Sequence, residues 1–355
     1  MKKMKKMILT LASGILLFTA CQKNDDVLQS TGDNSASLSF EITAGASSVM
    51  NKVAIYGQEP VLHVTNVKVY AFKSNGNDFL YAKTYDITGW TDGMNFKRYD
   101  VPDTDTLPVG TYKFLAVGRN ATDMYTLTSL TAATKYEDMA ASVTTNGNEN
   151  DIYAGSTQVT ISGAGARVSI DMKRKVAGIM GYFKNIPEQI NGTTVRYLRL
   201  SATNVNQGVD LTSGAGIPTA ATPFNIIDID LNGQTVSNGI YTGNDLTAQG
   251  VVKLPNTQLS GMYIIPVSGI TLTLGLYDTG GNALKTWTVK NAGTTSFQLA
   301  ANNFYGLGQK IKAGYTDNNT GDPSDDDNPV DLLSNQEISI TIIPAWDVIN
   351  NLTIE

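Results

Sequence analysis

The chain has 355 residues, a formal net charge of −6, only 16% charged residues, 33 glycines, one cysteine and one histidine. That length allows two ordinary hydrophobic cores. The single cysteine excludes an internal disulfide and a cysteine-built zinc site. The acidic balance excludes a phosphate-backbone binder, so no nucleic-acid partner is expected. His63 would have to carry any Ser-His-Asp triad alone. It lies in Pro60-Val61-Leu62-His63-Val64, which reads as a loop entering a strand.

Residues 1–20 open with Lys2, Lys3, Lys5 and Lys6, continue with an apolar run from Met7 to Phe18, and end at Thr19-Ala20 before Cys21. A basic start, a short apolar stretch and small residues before a cut describe an export signal too short to span a bilayer. The only cysteine falls at the cleavage point, which reads as a lipobox with Cys21 as the acylated first residue of the mature protein. Two or more acyl chains anchor durably. Removal of 1–20 deletes four lysines and no acid, which moves the net charge from −6 to −10.

Residues 27–36 are polar and read as a tether. Leu38, Phe40 and Ile42 then alternate with Ser39, Glu41 and Thr43, the period of a half-buried strand. Val67-Val69-Ala71 and Tyr112–Val117 repeat the pattern. Asn-Gly pairs at 75–76, 146–147, 191–192, 232–233 and 238–239 supply the positive φ of tight hairpins. Thr131–Val143 is the one helical candidate, with Tyr136, Met139 and Ala140 on one side. Further strands are predicted at Arg167–Met172, Gly178–Ile186, Thr194–Ala202, Phe224–Leu231, Met262–Val267, Ile270–Tyr277 and Leu284–Val289. Gly163-Ala164-Gly165-Ala166 reads as a joint between two β-sandwiches. The organisation expected is a signal over 1–20, a lipidated propeptide with a removable first strand over 21–52, sandwiches over 53–165 and 166–316, and an acidic linker with terminal strands over 317–355.

The linker, Asp317 to Pro329, fails as an EF-hand because Gly321 stands fifth from Asp317, where an oxygen ligand belongs. No metal or other cofactor is expected. Beyond it Ile338, Ile340, Ile342, Trp346 and Val348 share one parity, with Pro344 bending the run. These strands can fold back on their own domain or leave it. A tethered apolar strand recruits any open sheet edge, which suggests strand addition to a partner. Leu38, Phe40 and Ile42 show the same spacing, and Lys52 is the sole basic residue between Lys23 and Lys68. A cut between Lys52 and Val53 would release the first strand and open a groove. Three buried isoleucines would contribute about 5–9 kcal/mol before ordering costs.

No catalytic residue is proposed, and the chain is not expected to be an enzyme. Asp228 and Asp230 alternate with Ile227 and Ile229, which describes the solvent face of a strand more simply than a glycosidase pair. Trp90 and Trp287 are the sugar-stacking candidates of a glycan-binding surface lipoprotein, the alternative from another functional class.

Taken in order, the lipobox, Leu38–Thr43 with its cleavable loop, Val67-Lys68-Val69-Tyr70-Ala71-Phe72, Gly110–Val117, Arg174-Lys175-Val176-Ala177-Gly178-Ile179, Met262–Pro266, Asn303–Leu307 and Pro344–Val348 resemble the fimbrillin family of Bacteroidota, the subunits of protease-assembled (type V) pili. Gln22–Asp26 resembles the acidic export signal of surface lipoproteins in that phylum. The resemblance implies an all-β fold of two transthyretin-like β-sandwich domains with a C-terminal donor-strand tail. It implies a lipidated precursor on the outer membrane surface and then an extracellular pilus that supports adhesion. The partners implied are other copies of the chain, related pilus subunits and a trypsin-like protease. Processing after arginine in that family departs from this leader, whose first arginine is Arg98, so Lys52 would have to serve. A free donor tail favours a stalk subunit, and an uncut chain would instead resemble an anchor subunit.

Overall fold

The structure, a computed structural model, describes residues 37–45, 64–219, 223–243, 255–308, 329–334 and 338–343. The fold is all-β, and no α-helix occurs among the described residues. In β1 (Leu38–Ala44), Leu38, Phe40, Ile42 and Ala44 are buried while Ser39, Glu41 and Thr43 face outward, as period-two alternation requires. A two-residue turn joins β2 (Asn66–Asn75) to β3 (Asp78–Asp86) and opens with Gly76 at φ 62°, a value glycine adopts without steric cost. Then follow β4 (Phe96–Asp100), β5 (Gly110–Arg119), β6 (Thr126–Leu127), β7 (Ala140–Ser142), β8 (Ile152–Ile161) and β9 (Ala166–Arg174). Seven of these build one sheet in the order β3-β2-β5-β8-β9-β1-β4.

The remaining strands are β10 (Ala177–Lys184), β11 (Gln189–Ile190), β12 (Thr193–Thr194), β13 (Tyr197–Ala202), β14 (Gly208–Asp210), β15 (Gly216–Ile217) and β16 (Phe224–Asp230). They continue with β17 (Val236–Ser237), β18 (Ile240–Tyr241), β19 (Thr257–Ile264), β20 (Val267–Ile270), β21 (Leu272–Tyr277), β22 (Ala283–Thr288), β23 (Phe297–Leu299), β24 (Phe304–Leu307), β25 (Val330–Asp331) and β26 (Ile340–Ile343). Asn191-Gly192, at φ 52° and 79°, turns β11 into β12, and Asn238-Gly239, at 52° and 71°, turns β17 into β18. Both pairs supply the two positive φ values of a type I′ hairpin. A second sheet runs β19-β10-β24-β26, with β25 beside β10, and a third runs β16-β13-β21-β22.

Three cores separate these layers. Phe40, Val69, Tyr85, Phe114, Val168 and Ile170 fill the core on one face of the seven-stranded sheet. The opposite face contributes Tyr70, Phe72, Leu115 and Val117 to a second core, where they meet Met180, Tyr182, Tyr263 and Phe304 of the second sheet. The alternate residues of that second sheet, Ile179, Phe183, Tyr305 and Leu307, form a third core with Leu198, Leu200, Leu274 and Leu276. One strand such as β10 therefore serves two cores, its side chains pointing alternately into each.

Two expectations need correction. Residues 162–165 are no joint between sandwiches, because Ser162 bridges Gly165 in the turn of the β8–β9 hairpin. The strand beginning at Ala166 completes the first sheet, and the second sheet starts at Ala177. Glycine freedom used for a tight turn reads, in sequence, like freedom used for a hinge. Thr131–Val143 is not a helix: it holds a single 3₁₀ turn, Tyr136–Asp138, followed by β7. The Thr134 hydroxyl accepts from the Thr131 amide at 2.9 Å, and the Asp138 carboxylate accepts from the Lys135 amide at 3.0 Å. Such local bonds compete with a helix, and Met139, Ala141 and Val143 are buried at a period of two.

At the end of β9, Arg174 and Asp151 form an ion pair with no exposed side-chain surface, Nε–Oδ1 2.5 Å and Nη2–Oδ2 3.0 Å. Burial alone would lower the guanidinium's hold on its proton. The Asp151 carboxylate, with Tyr153 and Tyr263 beside it, reverses that and raises Arg174 well above its ordinary value. Replacing Asp151 by Asn strands that charge and is expected to cost about 3–5 kcal/mol in urea unfolding, whereas an Asp151→Leu/Arg174→Met double variant should lose distinctly less. Burial also pushes the Tyr70 hydroxyl up to about 12 from its ordinary 10.0. The unfolded chain then releases this proton first. Stability is full below about pH 10 and falls as pH rises through about 12, a loss that Tyr70→Phe should reduce in urea midpoints compared at about pH 9 and about pH 11.

Candidate functional site

The predicted removable strand is β1, and it is an interior strand. It runs parallel to β9, from Leu38 opposite Ala166 to Ala44 opposite Met172, and antiparallel to β4, from Ser39 opposite Asp100 to Thr43 opposite Phe96. Val101 N–H donates to the Leu38 carbonyl at 2.8 Å, and Ala44 N–H donates to Asn95 O at 2.9 Å. Among the described residues, β4 pairs with no strand other than β1. β1 therefore holds itself and also one edge of the sheet.

Its apolar side chains fill the first core. Phe40 has no exposed surface and meets Tyr85 at 5.1 Å and Phe114 at 5.4 Å between ring centroids, distances at which tilted and edge-on rings attract. Ile42 is equally enclosed and Leu38 is 2% exposed. Burying each such side chain contributes about 1.5–3 kcal/mol. On the outward face the Glu41 carboxylate pairs with Arg167 of β9, and the Thr43 hydroxyl donates to Asp171 Oδ1 at 2.9 Å. Loss of β1 would open a slot along β9, floored by aromatic rings and rimmed by Arg167, and would leave β4, whose Arg98 stands opposite Glu41, without its strand partner.

The C-terminal candidates divide. Ile338 and Ile340 are 2% and 6% exposed in the third core, and Ile342 packs half-buried against it. β26 lies antiparallel to β24, from Leu307 opposite Ile340 to Phe304 opposite Ile343. Lys290 N–H donates to Ile338 O at 3.0 Å, and Ile340 N–H donates to Lys290 O at 2.9 Å. In this state the segment completes its own domain. Trp346 and Val348 lie outside the described residues, as do Cys21, Lys52, Val53, His63 and the linker 317–328.

Trp90 is 5% exposed in the first core, and the half-buried Trp287 ring carries Lys285 Nζ at 4.7 Å. Neither presents a bare face for a sugar. Asp228 and Asp230 stand on the outer face of β16, held by Arg199 Nε at 2.9 Å and Arg196 Nε at 2.8 Å. Among the described residues, no group of three His, Cys, Asp or Glu could hold a metal. Sequence reasoning missed Arg167 and β4. The alternation Arg167-Val168-Ser169-Ile170-Asp171 already put Arg167 and Asp171 on one face, but nothing in it named Glu41 or Thr43 as their neighbours.

Among solved structures the chain resembles a fimbrilin, FimA, from Porphyromonas gingivalis W83, at 13% identity and TM-score 0.44, covering 88% of this chain and 98% of that one. It also resembles the fimbrial anchor protein Mfa2 from the same species, at 13% identity and TM-score 0.41, covering 71% of this chain and 82% of that one. No curated protein matches the sequence. The model of the family described as fimbrillin-A associated anchor proteins Mfa1 and Mfa2 matches residues 34–351. That span takes in β1, all three cores and most of the C-terminal tail, and the chain belongs to this fimbrial family.

Proposed function

We propose that the chain is a fimbrial subunit exported as a lipoprotein through Cys21, cut between Lys52 and Val53, and polymerised as a stalk component when another subunit's C-terminal strand takes the place of β1. Its partners on this reading are copies of itself, related pilus subunits, a trypsin-like protease and, before processing, the outer membrane. One observation carries it. β1 contributes Leu38, Phe40 and Ile42 to the first core, yet it joins the next strand of its sheet only through residues 45–65, the stretch that contains Lys52. A single cut there turns an interior strand into a bound peptide. An emptied slot recruits an extended segment through main-chain bonds and alternating pockets.

A second reading, a membrane-retained anchor, is favoured by a separate observation. Ile338 and Ile340 complete the chain's own third core, so withdrawing them would open a second groove. An anchor stays uncut, keeps its lipid and keeps β1 in its own sheet.

The readings part on processing. The chain from Gln22 onward, treated briefly with a trypsin-like protease and run on unboiled SDS gels, should give a ladder of resistant oligomers whose N-terminus is Val53. Lys52→Gln should abolish the ladder while leaving the melting temperature unchanged. A monomer that keeps Leu38–Thr43 after treatment would sink the stalk reading and leave the anchor.

A further inference from the structure

We infer that the strand received in the β1 slot is Pro344–Val348 of a second copy, set in register by an Asp347–Arg167 ion pair, while Ile338–Ile343 stays in its own core. The inference rests on the strand-exchange reading and adds which part of the tail joins and what fixes its alignment. It starts from what β1 presents: Leu38-Ser39-Phe40-Glu41-Ile42, an aromatic residue, an acid and a branched aliphatic in succession. Downstream of β26 the sequence reads Pro344-Ala345-Trp346-Asp347-Val348, with the same succession at the same spacing.

Each position of that alignment has a physical counterpart. Trp346 would bring an aromatic ring to the place where Phe40 meets Tyr85 and Phe114. Val348 at the Ile42 position gives back part of the volume that the indole adds, and swaps that conserve total volume are the ones cores tolerate. Pro344 would fall at Leu38, the first residue of β1, where the contact to β4 is made by the carbonyl receiving Val101 N–H. Proline keeps that acceptor and is tolerated at a strand's first residue. Asp347 would stand where Glu41 now pairs with Arg167.

The competing segment fails on two of these counts. Aligned on its isoleucines, Ile338–Ile342 places Thr341 at the Glu41 position, diagonal to Arg167 and opposite Arg98, and offers neither cation an acid. Ile338 and Ile340 are also already buried in their own subunit. Arg167 is 65% exposed, so its pair acts at the rim of the slot. A rim charge sets register and encounter rate more than final affinity.

The test uses the chain from Gln22 onward with the recognition sequence of a site-specific protease placed within 46–63, so that new basic residues create no cut. Assembly is followed on unboiled gels. Arg167→Glu and Asp347→Arg should each slow chain growth about fivefold, Asp347→Arg with the melting temperature unchanged, and the two together should restore it. A chain that stops after Ile343 should melt like the full chain and form no polymer. Polymer from that truncated chain, or a charge-swapped double variant that remains slow while the parent assembles, would overturn the register. A parent chain that never assembles after its first strand is cut free would overturn the strand-exchange reading itself, and this inference with it.

Discussion

The packing of Phe40 between Tyr85 and Phe114 is the interaction on which the first half of the molecule depends. It joins three strands that are distant in sequence, β1, β3 and β5, and it does so from a strand that is bonded on both edges. Because β4 pairs only with β1 among the described residues, the strand within the connection from Ile87 to Val109 takes its place in the sheet through β1. Ile87, Trp90, Val101 and Leu107 supply the buried anchors of this connection. An interior strand whose removal also frees a neighbour makes its occupancy an all-or-none condition for an ordered sheet.

The second constraint sits between layers. β10 and β24 each send alternate side chains into two cores, so the second sheet belongs equally to both halves. Arg174 and Asp151, fully enclosed, lie where the first sheet hands over to the second. Such a pair is held by mutual attraction and by stacking on Tyr153 at 4.9 Å. It contributes less net stability than the same volume of hydrocarbon would, but it accepts no substitute of one partner alone.

Much of this was legible in the sequence, and for one reason. A period of two survives along much of most long strands, β10 with both faces buried excepted, so Leu38–Thr43, Tyr112–Val117, Thr194–Ala202 and Ile270–Tyr277 announced strands within a few residues of β1, β5, β13 and β21. Asn-Gly pairs at 191–192 and 238–239 announced hairpins because such residues reach two successive positive φ values cheaply, whereas those at 146–147 and 232–233 join strands that do not pair with each other. Three things were not legible. The pairing of β1 with β9 is parallel and spans 126 residues between Glu41 and Arg167, and no local pattern encodes a partner that far away. The supposed joint at 163–166 and the supposed helix at 131–143 both failed because a short window does not distinguish a glycine turn from a hinge, or a threonine-capped turn from a helix start. The candidate site was legible in half: Leu38, Phe40 and Ile42 as the buried face of a strand could be read, whereas the cations and the edge strand beside it could not.

The division of the tail follows from the same physics. A strand that must bind another subunit cannot also be indispensable at home, because every joint formed would open a core left behind. Ile338 and Ile340 are committed to the third core by burial and by two backbone bonds to Lys290. On the proposed reading the joining task falls to the residues after Ile343, which include Asp347. Placing proline at the boundary separates the two tasks within one extended chain, since a residue without an N–H interrupts the ladder at that point. A subunit built this way extends a neighbour without weakening itself, and that asymmetry is what would allow a chain of such subunits to persist.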